Sequence, residues 1–296
     1  VKKIILSLTL TLAMCVGASI SFIGCSTGQV STDTTATIGS FNVEWLGDGE
    51  RDNKPRTDQD YLRIADIIIK TEADVLGVQE VENPEALHKV LRYLDGYSGY
   101  VLQGDSKQNV AVIFKKGVSV KVIGGYAPLT LDRPNRLRQG LILHCQKRNF
   151  DWIQMVVHLK STSRYDSTAE LRDESKLLRS RQCEVLKAWA DSVIALGTET
   201  DIIITGDFND FVQRKTQPTL QAISESSSLT FATKELKSCK NAQWFTIDHV
   251  VVSTSAEKRI VQSATRNENF RSFLDDKDAD AVSDHCPVIV KFDIVN

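Results

Sequence analysis

The chain has 296 residues, 42% hydrophobic and 7% aromatic, with 36 Lys and Arg against 38 Asp and Glu and a formal net charge of -2. Ordinary hydrophobicity with so small a net charge excludes a disordered polymer, and the length predicts one large domain or two small ones. Six cysteines with no Cys-x-x-Cys pair exclude a disulfide-dense scaffold and a zinc ribbon, and the balanced charge lacks the basic excess usual in polyanion-binding proteins.

The chain opens on a targeting pattern. Lys2 and Lys3 precede an apolar run, Ile4 to Val16, that falls short of the roughly 20 residues an ordinary membrane-spanning helix takes. Phe22-Ile23-Gly24-Cys25 follows and resembles the lipobox of bacterial lipoproteins, with Phe22 where Leu is usual. The expectation is a lipoprotein signal peptide over 1–24, lipid attachment at Cys25, and an exported, membrane-anchored protein, periplasmic or at the cell surface. A plain secretory signal with Cys25 incidental is the alternative. Loss of residues 1–24 removes two lysines and no acid, taking the net charge from -2 to -4. Residues 25–37 are Ser/Thr-rich without apolar periodicity and read as a flexible tether. Export permits disulfides among Cys145, Cys183, Cys239 and Cys286, in any of three pairings.

From there β-rich runs alternate with helical patterns. Strands are expected at Ile38–Val43, Val75–Gln79, Val110–Phe114, Val118–Ile123, Leu141–Cys145, Trp152–Val157, Ile202–Thr205, Thr246–Val252 and Val288–Phe292, bounded mostly by Gly, Asp, Asn or Pro. Several are wholly apolar, which implies cover on both faces. Helices are expected over Asp58–Lys70, from Pro84 through Leu94, and over Glu170–Leu196. No linker interrupts 38–296, so this stretch reads as one domain. Trp45, Trp152, Trp189 and Trp244 are assigned to the core, and His88 and His144 to the surface or to packing.

The strands end in chemistry. Asn42 and Glu44 close the first; Glu80, His158 and the Gly206-Asp207-Phe208-Asn209 string each follow another; Asp248 interrupts one, and Asp284-His285 precedes the last. A strand end held by ladder hydrogen bonds presents a side chain rigidly to a cleft. Singly, each piece is an ordinary loop acid or an Asp/Asn turn. Together they supply hard oxygen donors and two histidines with no cysteine, which suits Mg2+, or Mn2+, better than zinc. His249 points opposite to Asp248 in a strand and reads as structural.

The strings FNVEW (41–45), VQEVEN (78–83), VVHLKS (156–161), GDFND (206–210), IDHVVV (247–252) and SDHCPV (283–288) resemble, in order, the motif series of the endonuclease/exonuclease/phosphatase (DNase I-like) superfamily, and they span the whole of 38–296. The resemblance implies an α/β fold, a four-layer α/β/β/α sandwich of two packed mixed sheets with the site at one edge. It implies a metal set of Glu80, Asn42, Glu44 and Asp284. Asp207 and Asn209 would handle the attacking water, His285 paired with Asp248 would serve the phosphate or proton transfer, and His158 the phosphate or the leaving oxygen. Arg138 and Asn109 would bind phosphate, with solvated or structural roles as the alternative. Cys286 would be buried packing or half a disulfide.

The function that follows is a metal-dependent phosphodiester hydrolase, foremost an exported nuclease acting on DNA or RNA. The net charge and Glu82, which stands where the pancreatic DNase type carries a groove-entering Arg, count against duplex DNA. A sphingomyelinase of the phospholipase C kind, or a phosphatase, is the alternative; its membrane-entering aromatic hairpin has no counterpart beyond Tyr93, Tyr97 and Tyr100. A non-catalytic exported binding module is the alternative of another class. Nucleic acid is the expected partner, with the membrane through Cys25; no protein partner is implied.

Overall fold

Apolar strands that bury both faces need a layer on either side, and the chain supplies it. The computed structural model describes residues 33–295; the signal peptide, Cys25 and the tether up to residue 32 lie outside the described residues. In chain order the elements are β1 (Thr35–Leu46), α1 (Asp58–Thr71), β2 (Val75–Val81), α2 (Pro84–Leu91), β3 (Tyr97–Leu102), β4 (Asn109–Lys115), β5 (Ser119–Tyr126), β6 (Gly140–Lys147), β7 (Phe150–His158), α3 (Ala169–Leu196), β8 (Ile202–Asp207), α4 (Gln221–Ser224), β9 (Leu229–Phe231), β10 (Asp248–Ser253), α5 (Thr254–Glu257), β11 (Arg266–Asn267), α6 (Asp276–Val282) and β12 (Val288–Asp293).

Among the described residues the strands form two six-stranded sheets, in the orders β11-β12-β1-β2-β4-β3 and β5-β6-β7-β8-β10-β9. The pairs β1/β2 and β7/β8 are parallel and their neighbours antiparallel, so both sheets are mixed. Alternation along each strand sorts side chains into three apolar layers. Ile64 and Ile68 of α1, Leu87 and Val90 of α2 and Val282 of α6 cover Phe41, Leu76 and Val78 on one outer face. Ile38, Val75 and Val112 meet Leu143, Trp152, Ile203 and Val250 between the sheets. Ile202, Ile204 and Val251 face Leu186 and Trp189 of α3 and Ile223 of α4 on the other. Ile202-Ile203-Ile204 therefore points out, in and out, each fully buried side chain worth about 2 kcal/mol. This is the α/β/β/α sandwich. Gly77 lets β2 approach β8: a Cβ there would lie 2.5 Å from Thr205 Oγ1.

Helix ends follow their sequence signals. Thr57 and Asp60 form a capping box on α1, Asn83 caps α2 ahead of Pro84, and α3 stops at left-handed Gly197 (φ 70°). Several boundaries differ from expectation. Thr35–Thr37, read as the end of the tether, belong to β1, because Thr35 to Thr37 pair with Asp293 to Lys291 and Ala36 is fully buried. The second helix ends at Leu91, and β10 starts at Asp248. Trp152 and Trp189 are core residues and Trp45 is half-buried, but Trp244 is 60% exposed. Of the cysteines, Cys239 and Cys286 form a disulfide, while Cys145 and Cys183 are buried free thiols.

His249 is structural. Its Nε2–H donates to the Asp210 carbonyl and Nδ1 accepts from the Thr233 hydroxyl, both at 3.1 Å, with Phe208 and Phe231 edge-on to the ring. Burial pushes its pKa down to about 4. The unfolded chain therefore takes up a proton near pH 6.5 that the folded chain refuses, and stability is lost as pH falls through that window. In urea unfolding between pH 7 and 4, the stability advantage of wild type over His249→Gln should shrink by about 3 kcal/mol; a constant difference would contradict the assignment.

Candidate active site

Strand register builds half of the site. His158 at the end of β7 pairs with Asp207 of β8, which pairs with Asp248 of β10. In-register residues stand on one face, spaced by the roughly 4.8 Å between strands, so the three polar side chains form a row at one edge of the second sheet. The first sheet supplies the rest through an irregularity. Asn42 of β1 pairs with Gln79 of β2, and strict alternation would send Glu80 to the opposite face. Instead both strands lose register there, with Glu44, Trp45 and Glu80 in the left-handed region at φ 47°, 55° and 65°. The bulge turns Glu80 back beside Asn42.

Asp207 is the hub. Its Oδ2 accepts from Asn42 Nδ2 at 3.0 Å and lies 3.7 Å from His158 Nε2 and 4.0 Å from His285 Nε2. The same Asn42 nitrogen donates to Glu80 Oε1 at 3.1 Å, which is 3.9 Å from His158 Nε2, while Glu80 Oε2 accepts the Trp45 N–H at 3.1 Å. Asp248 Oδ2 and His285 Nδ1 are 2.8 Å apart. With the carboxylate as acceptor, Nδ1 carries the proton and Nε2 faces Asp207. Ser283 ties this last segment to the first sheet: its hydroxyl donates to the Asn42 carbonyl at 2.7 Å and accepts the His285 N–H at 3.0 Å.

Burial drives the electrostatics. It pushes Asp207 up to about 7, with the charge of Asp248 adding to the rise and His285 and the donors Asn209 and Asn42 opposing it. Burial also works against charge on His285, but the carboxylate of Asp248, helped by Asp207 and Asp284, holds its pKa well above the ordinary value. His158 has no carboxylate in hydrogen-bond contact, and burial, with Arg138 and His285 nearby, holds it well below. One imidazole is cationic and the other neutral.

The remaining expected residues divide. Asn209 (φ 54°) donates its backbone N–H to Asp207 Oδ1 at 2.7 Å and its side-chain amide to the Leu159 carbonyl at 3.1 Å, which fixes the loop after β8. Asn42, expected in the metal set, turns its two side-chain N–H groups to the carboxylates of Glu80 and Asp207 and accepts the Glu44 N–H at its Oδ1 (2.9 Å), which braces both acids. Glu44, also expected there, is engaged at the rim by Lys54 at 2.5 Å and by the Asp284 N–H at 2.9 Å. Asp284 is at the rim as well, 3.7 Å from His285 Nε2 and 3.5 Å from Lys240. Asn109 is committed to its own loop, donating to the Glu82 and Ser106 carbonyls and accepting the Gly104 N–H. Arg138 is tied to Gln108 through Nε and Nη2, with its charge felt at Glu80 and Asp207, and it lines a recess of about 260 Å³.

The donor set fits a hard divalent cation. Carboxylate oxygens of Asp207 and Asp248 lie within 4.8 Å of each other and of a His285 ring nitrogen; with that imidazole held toward its cationic form, the carboxylates are the donors. Asp248 Oδ1 is buried without a hydrogen-bond partner among the described residues. Glu80 joins Asp207 through the shared amide, and carboxylates crowded in this way call for a counter-charge. Beside His285 a recess of about 300 Å³ is lined by Lys237, Lys240, Trp244, Phe245 and Asn267. The sequence reading assigned Trp244 to the core; its exposure corrects this, and its place in NAQWF, outside any apolar run, is the signal for a loop aromatic.

Residues 39–285 match the Endonuclease/Exonuclease/phosphatase family. The chain belongs to this family. Solved structures share its fold. Truncated Caenorhabditis elegans TDP2 is 17% identical, with 88% of this chain and 98% of that one covered at a TM-score of 0.61. D. rerio TDP2 complexed with a single-strand DNA product is 16% identical, with 88% and 100% covered at 0.59. The Bacteroides thetaiotaomicron mannosyl-6-phosphatase Bt3783 is 17% identical, with 86% and 98% covered at 0.57. A search of curated proteins found no match.

Within the family site, the cationic state of His285 depends on one neighbour. In Asp248→Asn burial acts unopposed by that carboxylate, so the imidazole pKa read from its Cε1–H resonance should fall, and turnover should drop by about 10² to 10⁴-fold. An unmoved resonance profile would show that Asp248 does not set the charge.

Proposed function

We propose that the chain is a divalent-metal-dependent phosphodiesterase, an exported nuclease that cuts single-stranded nucleic acid. The observation that carries the hydrolytic reading is the convergence of Glu80, Asp207, His158 and the Asp248–His285 pair, from both sheets, around one buried amide. Phosphodiester hydrolysis builds negative charge on the non-bridging and leaving oxygens, and a site that meets it with fixed donors stabilises the transition state above the ground state. Glu80 would hold the cation, with Mg2+ the natural choice for oxygen donors; when bound it supplies Lewis-acid neutralisation of the phosphate. Cationic His285 donates from Nε2 to a phosphate oxygen. Neutral His158 offers a donor that does not compete for the metal-side charge. Asp207, braced by Asn42 and Asn209, orients the attacking water and receives its proton.

Support for nucleic acid comes from the mouth. Exposed Trp244 with Phe245, beside Lys237 and Lys240, combines a stacking surface with cations for a neighbouring phosphate. The single-strand DNA product held by the D. rerio relative agrees. The mannosyl-6-phosphatase relative and the net charge of -2 favour a second reading, a sugar phosphomonoesterase. Export is supported by the targeting pattern of residues 1–24 and by the Cys239–Cys286 disulfide, which suits an oxidising compartment.

The test is parallel hydrolysis of single-stranded DNA, plasmid DNA, RNA, sphingomyelin and mannose 6-phosphate with Mg2+, Mn2+ or EDTA. Strand cleavage that EDTA abolishes and added salt weakens is expected. Phosphate release from the sugar ester without cleavage would replace the nuclease by the second reading, and phosphocholine release would point to a lipase. Trp244→Ala should raise KM for single-stranded DNA about tenfold and leave kcat on the small diester bis(p-nitrophenyl) phosphate unchanged.

A further inference from the structure

Arg56 lies between β1 and α1, one residue before the Thr57 cap. Among the described residues no carboxylate pairs with it. Its guanidinium instead lies within hydrogen-bond distance of five backbone carbonyls: Nη1 donates to Trp45 at 2.9 Å and Nε to Ala281 at 3.0 Å, while the two hydrogens of Nη2 are shared among Val43 at 2.7 Å, Glu44 at 2.8 Å and Val282 at 2.9 Å. These carbonyls belong to two segments where regular backbone pairing breaks off. Residues 43–45 form the bulge of β1, where the ladder lapses and Glu44 and Trp45 are left-handed. Ala281 and Val282 end α6, where carbonyls have no intrahelical acceptor role left to fill.

Both segments carry the site. The bulge follows Asn42 directly, and its Trp45 N–H holds Glu80. The end of α6 runs straight into Ser283, Asp284 and His285, and Ser283 closes the seam against the Asn42 carbonyl. A planar fork with five N–H groups can serve both sides at once; an ammonium, with three donors at one point, cannot. We infer that Arg56 is a positioning residue of the hydrolytic site: it locks the left-handed turn at Glu44–Trp45 to the end of α6, so that Asn42, Glu80 and His285 keep their mutual placement. The inference rests on the phosphoester-hydrolase reading for its rate measurement, and on divalent-metal binding at the same site for the titration.

The test compares wild type, Arg56→Lys and Arg56→Ala as full chains on bis(p-nitrophenyl) phosphate with Mn2+. Rates are taken per folded molecule, from the fraction with native near-ultraviolet circular dichroism. A catalytic constellation loosened by about 1 Å loses about 100-fold in kcat, so both variants should fall by that order while KM stays within about threefold. Millimolar guanidinium should restore part of the Arg56→Ala rate, and ammonium should not. Calorimetric titration with Mn2+ alone should show weaker binding in both variants. A kcat within about threefold of wild type in Arg56→Lys would overturn the inference. If wild type turns over no diester, the phosphodiesterase reading fails, and the Mn2+ titration still judges Arg56: equal affinity in wild type and Arg56→Lys sinks it, weaker binding in the variant upholds it.

Discussion

Glu80 comes from one sheet and Asp207 from the other, and they meet over a single nitrogen of Asn42, at 3.1 and 3.0 Å. Their oxygens are thus within about 6 Å, where two unit charges at an effective dielectric of about 20 repel by about 3 kcal/mol. Asp248 adds a third carboxylate from the next strand. Apolar packing between the sheets brings these groups together whether or not their charges agree, and the amide offsets only part of the conflict. Burial raises the pKa of Asp207, with Asp248 adding to the rise, while Asp248, Asp207 and Asp284 hold that of His285 well above its ordinary value against its own burial. An anionic hollow of this kind is a receptor for positive charge, whether imidazolium or metal ion.

The two imidazoles differ because the fold gives them different company. His285 sits on the segment that leads into β12 and leans on Asp248 at 2.8 Å, whereas His158, on β7, reaches Asp207 and Glu80 only at 3.7 and 3.9 Å, and its buried Nδ1 has no hydrogen-bond partner among the described residues. Burial, with Arg138 and His285 nearby, thus pushes His158 toward the neutral form, while the carboxylate in contact overrides burial at His285 and pushes it toward the cationic one. A pair of titratable groups pushed apart in this way is the usual arrangement of a working acid–base site.

Much of this was legible in the sequence. The wholly apolar strands announced a sheet covered on both faces, the family resemblance supplied the second sheet, and the strand-end positions of His158 and Asp207 followed from run length, whereas Asp248 was read inside a strand that in fact begins at it. What stayed hidden was whatever depends on a backbone departing from its period. Alternation places Glu80 on the wrong face, and only the left-handed bulge corrects it. Asn42 is an amide whose donor and acceptor ends are chosen by neighbours up to 165 residues away. Glu44 and Asn109 fall near the site in sequence, but Lys54 and the 104–109 loop claim them first. β3, with a glycine and an alternating half-exposed pattern, and α6, whose DKDADAV lacks an apolar stripe, gave too little periodicity to find.

The acids and histidines of the site ride on strand ends or are pinned to them, whereas the recesses about them draw on connecting segments: Trp244 and Lys240 in one, Arg138 and Ser106 in the other. Those connections can lengthen, shorten or trade residues without disturbing the ladders beneath. Descent can therefore refit the grip of such a molecule for a new cargo while its cutting edge is inherited intact.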